Sequence, residues 1–435
     1  MTLADTTPAL TVEADQLVPV SDHLGRMTPI PASRMFLINK RLAVYRKNQP
    51  QGETFDASQG DGGASLPGVS PALLERAAAL QREHGSAYDM PYGCDLFRRA
   101  VIERYWQAGP ASGIGPENVL ATVGGRDALL KAYGAMLDLG HGRAGDLLVV
   151  TRVPWISYTW GPYGVGANVL LAPGSADDGW AFDEQAFQAC AEYAARLDRR
   201  LAGVIVTSPD NPTGKTLSAE RQVALGKAAL RAGAAFVLFD WMYHAVSDQP
   251  PMDLDRFLAA FDPEERARVM VLDGITKSLG ASNVRNAHLI ASEAVVRHIA
   301  ARASHGVIPS FYSMAVAVAA YEAGFAEASR PITGPTNASR AALRAFVQQH
   351  GLRAILDQGY YAFIEVGRWL RRRGWADSEP LGQHLAEEHG LAVVPGAFFS
   401  PFGGDWIRFS YATPVEKTLG AARRLLEALD ALDSG

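Results

Sequence analysis

Along the middle of the chain, short apolar runs alternate with longer stretches whose apolar residues recur every three or four positions. The runs cover 118–123 (NVLATV), 146–151 (DLLVVT), 168–172 (NVLLA), 203–207 (GVIVT), 236–240 (FVLFD), 269–273 (VMVLD) and 287–292 (AHLIAS). Several are apolar throughout rather than alternating, as expected for strands covered on both faces. Helical spacing marks 71–85, 127–139, 183–201, 218–232 and 251–260. Strands interleaved with helices in this way predict an α/β domain on a mostly parallel, seven-stranded sheet. Past residue 310 the texture changes. Helical patterns at 313–326 and 336–351 are followed by strand-like pieces at 361–366, 391–395 and 406–411, and a helix at 415–432 closes the chain. That reads as a smaller α+β domain. Residues 1–30 mix Pro, Thr and Asp without a period and predict an arm. No internal repeat is found.

Composition adds exclusions. The chain has 435 residues, 48% hydrophobic and 20% charged, close to the average for globular proteins. Its formal net charge is −5, so the basic footprint of a nucleic-acid binder is missing. No apolar run reaches the length of a membrane span; the stretch 313–321 is far too short. Residues 1–15 lack a basic segment followed by an apolar one, so no signal peptide is expected and a cytoplasmic location is. Cys94 and Cys190 are too few for a disulfide framework or a four-ligand zinc site, and buried thiols are expected; no metal is expected.

The segment Gly140-His-Gly142-Arg-Ala-Gly145 fits GxGxxG, but a dinucleotide fingerprint needs a strand before it and a helix after it. Here the order is reversed, and the segment reads as the turn that ends a helix. More informative are the polar residues that follow successive strands, where open α/β sheets bind ligands. The run 203–207 leads into Ser208-Pro-Asp-Asn211-Pro-Thr-Gly214. The run 236–240 ends in Asp240, with Tyr243 three residues on. The run 269–273 leads into Gly274-Ile-Thr276-Lys277, with Arg285 eight residues after the lysine. A carboxylate, a phenol, an amide, an amine and a guanidinium thus converge on one rim. That set suits an anionic aromatic ligand with a ring nitrogen and an aldehyde.

These residues resemble the aminotransferase class I/II group of fold-type I pyridoxal-phosphate enzymes, from about Phe55 to the C-terminus. SPDNPTG is similar to the family's Asn-Pro-Thr-Gly loop and Asp240-Trp-Met-Tyr243 to its Asp-x-x-Tyr. Thr276-Lys277 with Arg285 keeps its Lys-to-Arg spacing, and Ile407-Arg408-Phe-Ser is similar to its C-terminal arginine strand. The resemblance implies pyridoxal 5′-phosphate bound to Lys277 as an aldimine, Asp240 on the ring nitrogen, and Tyr243 with Asn211 on the ring's phenolic oxygen. It implies a phosphate site at Gly124, Gly125 and Arg126 with Thr276 and Arg285, and Trp155 stacked on the ring. Tyr88 would reach the phosphate of a neighbouring subunit in a homodimer. Arg408, with Gly60 and Asn211, would take the substrate's α-carboxylate. The implied chemistry is transamination between an amino acid and a keto acid through a quinonoid.

Taken singly, each residue has a plainer reading: Lys277 as a surface lysine, Asp240 as a helix cap, Tyr243 and Trp155 as core aromatics, Arg408 as an exposed strand arginine. Arg371-Arg372-Arg373 reads as a solvated helix face. Gly274 stands where many members have serine, Trp241 where an acid is common, and His288 where Gly-Tyr or similar is usual. These departures keep a second reading open: elimination, replacement, cyclisation or C–C bond formation in a natural-product pathway, on a substrate like S-adenosylmethionine. A pyridoxal-phosphate-binding regulator is a third reading, disfavoured because no basic recognition helix precedes the enzyme-like region. The expected division is an arm at 1–30, a large cofactor-binding domain at 76–310 and a small domain from 31–75 and 311–435.

Overall fold

The structure, a computed structural model, describes residues 30–109 and 111–434. The arm expected at 1–30 and the acidic N-terminus therefore lie outside the described residues, apart from Ile30. Among the described residues thirteen strands follow one another in order. A two-residue strand β1 (Phe55–Asp56) comes first. Then come β2 (Val119–Thr122), β3 (Leu147–Val150), β4 (Asn168–Leu171), β5 (Leu201–Thr207), β6 (Phe236–Asp240), β7 (Val269–Asp273) and β8 (Ala287–Ile290). The last part holds β9 (Ala354–Ile355), β10 (Tyr361–Glu365), β11 (Leu391–Ala392), β12 (Val394–Pro395) and β13 (Trp406–Ser410).

Strands β2 to β8 form the seven-stranded sheet, in the order β2-β8-β7-β6-β5-β3-β4. Only β8 runs against its neighbours; the other pairings are parallel. Every residue of these strands is buried, which explains their continuous apolar texture. The second sheet, β12-β13-β10-β9, is antiparallel and carries Arg408 opposite Phe363 and Val394. The helix Gly124–Leu139 ends just before Gly140 and β3 starts at Leu147, so the GxGxxG segment is indeed a turn after a helix.

The helices beside the expected cuts at 75/76 and 310/311 both pack against the large sheet. The helix Pro71–His84 buries Leu73, Ala77 and Leu80 in the same core as the large sheet. The helix Phe311–Glu322 lies in that core too, buried from Met314 to Tyr321. It has no polar face to turn to water, and burying a Val or Met side chain is worth about 1.5–3 kcal/mol, so it belongs inside the larger body. The helix Phe325–Gln349 starts earlier than its pattern predicts because Pro331 and Pro335 lie inside it and interrupt the reading. Among the described residues no helix is long and apolar enough to cross a membrane.

Candidate active site

The ends of β2, β5, β6 and β7 share one rim of the large sheet, and the site stands on the segments that follow them. Asp240 is the last residue of β6 and only 4% exposed. The Tyr158 hydroxyl donates to its Oδ2 at 2.7 Å, and the Met242 N–H donates to Oδ1 at 3.0 Å. Burial pushes its carboxyl up to about 6 against the pull of those donors. Burial outweighs the Lys277 charge nearby and Asp240 has no ion-pair partner among the described residues; a protonated ring nitrogen would supply one.

Lys277 sits in the helical turn Ile275–Ser278, directly after β7. Its Nζ donates to the Gly60 carbonyl, and the Tyr360 hydroxyl donates to the lysine's own carbonyl, which holds the turn. Burial lowers the amine's pKa, with Arg408 and Arg126 adding to the effect. The Tyr243 ring lies 5.7 Å from Nζ, and the Tyr243 hydroxyl is 3.0 Å from that of Tyr361.

The expected phosphate end has the donors for an anion. The helix Gly124–Leu139 begins at the glycines, so free N–H groups face outward there. Gly124 has φ +74°, and a Cβ on it would collide with the Arg285 guanidinium. Arg285 itself has φ 59° and donates to the Ser282 and Val123 carbonyls at 2.9 and 3.2 Å. Arg126 is made less basic by burial and by the Arg285 cation beside it. The hydroxyls of Thr276 and Ser282 are buried without a partner. Paired arginines with orphaned hydroxyls are what a phosphate would satisfy, so the residues present fit pyridoxal phosphate.

At the other end, Arg408 is 5% exposed in β13. Its Nη1 donates to Asn211 Oδ1 at 2.9 Å and its Nη2 to the Ser58 carbonyl at 2.7 Å, while Nε is buried without a partner. The Tyr361 ring lies 4.2 Å from the guanidinium carbon. A Cβ on Gly60 would sit 2.9 Å from the Tyr361 hydroxyl, so the close approach there needs a glycine.

Lys277, Asp240, Tyr243, Asn211, Thr276, Arg126, Arg285, Gly125, Gly60, Trp155 and Arg408 all line one cavity of ≈ 1370 Å³. Gly124 stands just behind it, against Arg285. Trp155 is half-buried, 5.4 Å from the Arg126 guanidinium and edge-on to Tyr158. Tyr88 is not brought to this cavity; it is 98% exposed. Trp241 and His288 do not line the cavity either and are buried behind it. Arg371 and Arg372 pair with Asp405 and Asp433 on an exposed helix face, as their run predicts. Cys94 and Cys190 are buried free thiols, pushed up by burial to about 11 and about 12.

Sequence reasoning missed Tyr158, Tyr361 and Ser282. Tyr158 had a readable signal, three residues after Trp155 and on the short helix that Trp155 precedes. Tyr361 lies in a run of aromatic and apolar residues that reads as core, and only the pairing of β10 with β13 brings it under Arg408.

Residues 55–426 match the family profile described as aminotransferase class I and II. An aspartate aminotransferase of Thermotoga maritima is 26% identical over 412 residues, 94% of this chain and 97% of that protein. A valine–pyruvate aminotransferase of Mycobacterium tuberculosis is 24% identical, over 93% of this chain and 98% of its own length. Among solved structures, an aminotransferase from Mycobacterium tuberculosis superposes with a TM-score of 0.78 at 21% identity, over 95% of this chain and 100% of the other. The Thermus thermophilus aspartate aminotransferase with maleate gives 0.75 at 21%, over 92% and 97%.

Proposed function

The chain belongs to the aminotransferase class I and II family of fold-type I, pyridoxal-phosphate-dependent transferases, and from that membership we propose that it moves the amino group of an α-amino acid to a keto acid, with Lys277 as the amine that bonds the cofactor. The observation that carries the reading is the convergence of Lys277, Asp240 and Arg408 on one cavity. The expected alternative, elimination, replacement or cyclisation, is not favoured: the relatives above are named as aminotransferases.

When bound, pyridoxal phosphate supplies an aldehyde that takes up the amino group and a ring that accepts the electron pair released at Cα. The chain's own residues do the rest. Arg126, Arg285, Thr276, Ser282 and the N–H groups at Gly124 and Gly125 would hold the phosphate. Asp240, steadied by Tyr158, would keep the ring nitrogen protonated. Tyr243 and Asn211 would donate to the phenolic oxygen, and Trp155 would lie against the ring. Arg408 takes the α-carboxylate in its planar fork, which points the Cα–H bond toward Lys277. Lys277 Nζ, made less basic by burial, is the group placed to accept the Cα proton and return it. Exposed Tyr88 supports a homodimer in which it meets the partner's phosphate site.

The test is a half-reaction. Holoprotein given an amino acid but no keto acid should lose its visible absorbance and yield pyridoxamine phosphate in proportion. Consumption of the donor with the absorbance intact and no pyridoxamine phosphate would reject transamination.

A further inference from the structure

Behind the cavity, on the far side of the strand ends, lies a buried polar cluster that the chemistry above does not use. Asp273, the last residue of β7, is 1% exposed, and His244, next to Tyr243, is 8% exposed. Asp273 Oδ2 accepts from His244 Nε2 at 2.7 Å and from the Tyr105 hydroxyl, while Oδ1 accepts from the Gly274 N–H at 2.6 Å. Tyr105 and Trp106 end a helical segment whose last turn, Val101–Trp106, is π-helical. Trp106 donates its indole N–H to His288 Nε2 at 2.9 Å and stacks on His244 with ring centroids 5.2 Å apart. His288 lies opposite Asp273 in the β7–β8 pair. Burial lowers His288 to about 4, so it is a neutral acceptor for the indole, and burial with the Asp273 charge keeps the Tyr105 phenol protonated as a donor.

This cluster accounts for the departures noted at Gly274, Trp241 and His288. A Cβ at Gly274 would sit 2.7 Å from Ala287 Cα and 2.9 Å from the Asn286 carbonyl, because β8 lies close against the end of β7. A serine does not fit there. Trp241 is buried edge-on to Trp106, with its N–H on Gln222 at 2.8 Å. The departures therefore build the cluster rather than the cavity wall.

We propose that Asp273 is a positioning residue for the transamination: its single carboxylate ties the Tyr243 loop, through His244, and the Lys277 turn, through the Gly274 N–H, to the Tyr105–Trp106 turn, so that the phenol and the amine are held as one unit. The proposal rests on the roles given above to Lys277 and Tyr243. Its physical basis is that a buried carboxylate accepting several hydrogen bonds cannot release one donor without leaving it unpaired away from water. A shift of either loop thus costs at the shared carboxylate and is felt by the other.

Hydrogen exchange on the cofactor-free protein tests the coupling apart from activity. Asp273→Asn keeps the shape but turns a donor toward donors. Amides over 243–246 and 275–279 should then exchange about tenfold faster together, the equivalent of one charge-assisted bond, while those inside β5 and β6 stay unchanged. Tyr105→Phe removes one donor only and should move the same two segments in the same direction by less. In the holoprotein, Asp273→Asn should slow the half-reaction about tenfold with little change in the donor concentration for half-saturation. Loops that respond separately, not at all, or only as part of a uniform rise across the sheet would overturn the proposal. If Asp273→Asn does not fold, Tyr105→Phe decides alone, and unchanged exchange in both loops overturns it. A wild-type protein that does not carry its cofactor on Lys277 would reject the functional reading instead, and the cofactor-free exchange would still decide the coupling.

Discussion

At its cofactor end the cavity draws Asp240, Lys277 and the Gly124–Arg126 turn from strand ends of a single sheet, each strand buried along its whole length. At its carboxylate end it gathers Arg408 from β13, the Ser58 carbonyl after β1, Asn211 after β5 and Tyr361 from β10. The first end stands on a scaffold that cannot shift without unpacking the core. The second exists only while two sheets and a loop stay docked. The difference separates two tasks: cofactor attachment should survive damage to the carboxylate end, whereas substrate binding also needs Arg408 and Tyr361, which the large sheet does not own.

The largest break of this symmetry is Lys277→Ala. It removes the attachment point and the proton acceptor together, so turnover should fall by roughly 100-fold or more, while Arg408 and its partners stay in place. Steady-state rates check it; near-normal turnover would place the amine elsewhere.

The next effect lies at the same end and appears as pH dependence. Burial holds Asp240 at about 6, above its ordinary value of 3.8, so between those values the folded chain keeps a proton that the unfolded chain has lost. Stability contributed by this group is present below the lower value and lost as pH rises through the upper one, about 3 kcal/mol in all. In the cofactor-free protein, denaturant melts of Asp240→Asn across that window should show a shallower fall than wild type. Equal slopes would mean that the carboxyl already has a compensating cation.

At the carboxylate end, Arg408→Lys keeps the charge and loses the planar fork. Binding of α-amino acids should weaken by about 1.5–3 kcal/mol, with the absorbance of the bound cofactor unaltered. A variant that loses its cofactor would erase the distinction between the two ends. The smallest effect is expected for Tyr361→Phe, which keeps the ring under Arg408 and removes only the hydroxyl shared with Tyr243. Donor affinity should change little and the half-reaction slow by the equivalent of about 1 kcal/mol.

The same contrast explains what the sequence disclosed. Strands β2 to β8 were legible to within a residue or two because fully buried strands write continuous apolar runs, and Asp240 and Lys277 were legible because each closes or follows such a run. Arg408 was legible only through its flanking Ile407 and Phe409 and the family resemblance. Tyr361 was not, because its role depends on which strand lies beside it. The ties of Asp273 to Tyr105 and His244 were not legible either, since residues 168 and 29 positions apart meet only after the helical and sheet layers pack. The packing of Phe311–Glu322 against the large sheet was not legible either, because a helix with no polar face carries no sign of which layer it joins.

The central claim is that Lys277 carries the cofactor at the end of β7. Borohydride reduction of the holoprotein, followed by proteolysis and mass mapping, tests it directly. The account predicts a reduced pyridoxyl phosphate adduct on the peptide containing Lys277, with no other lysine labelled in proportion to the cofactor. An adduct on a different lysine, or a cofactor that reduction leaves unattached, would contradict it.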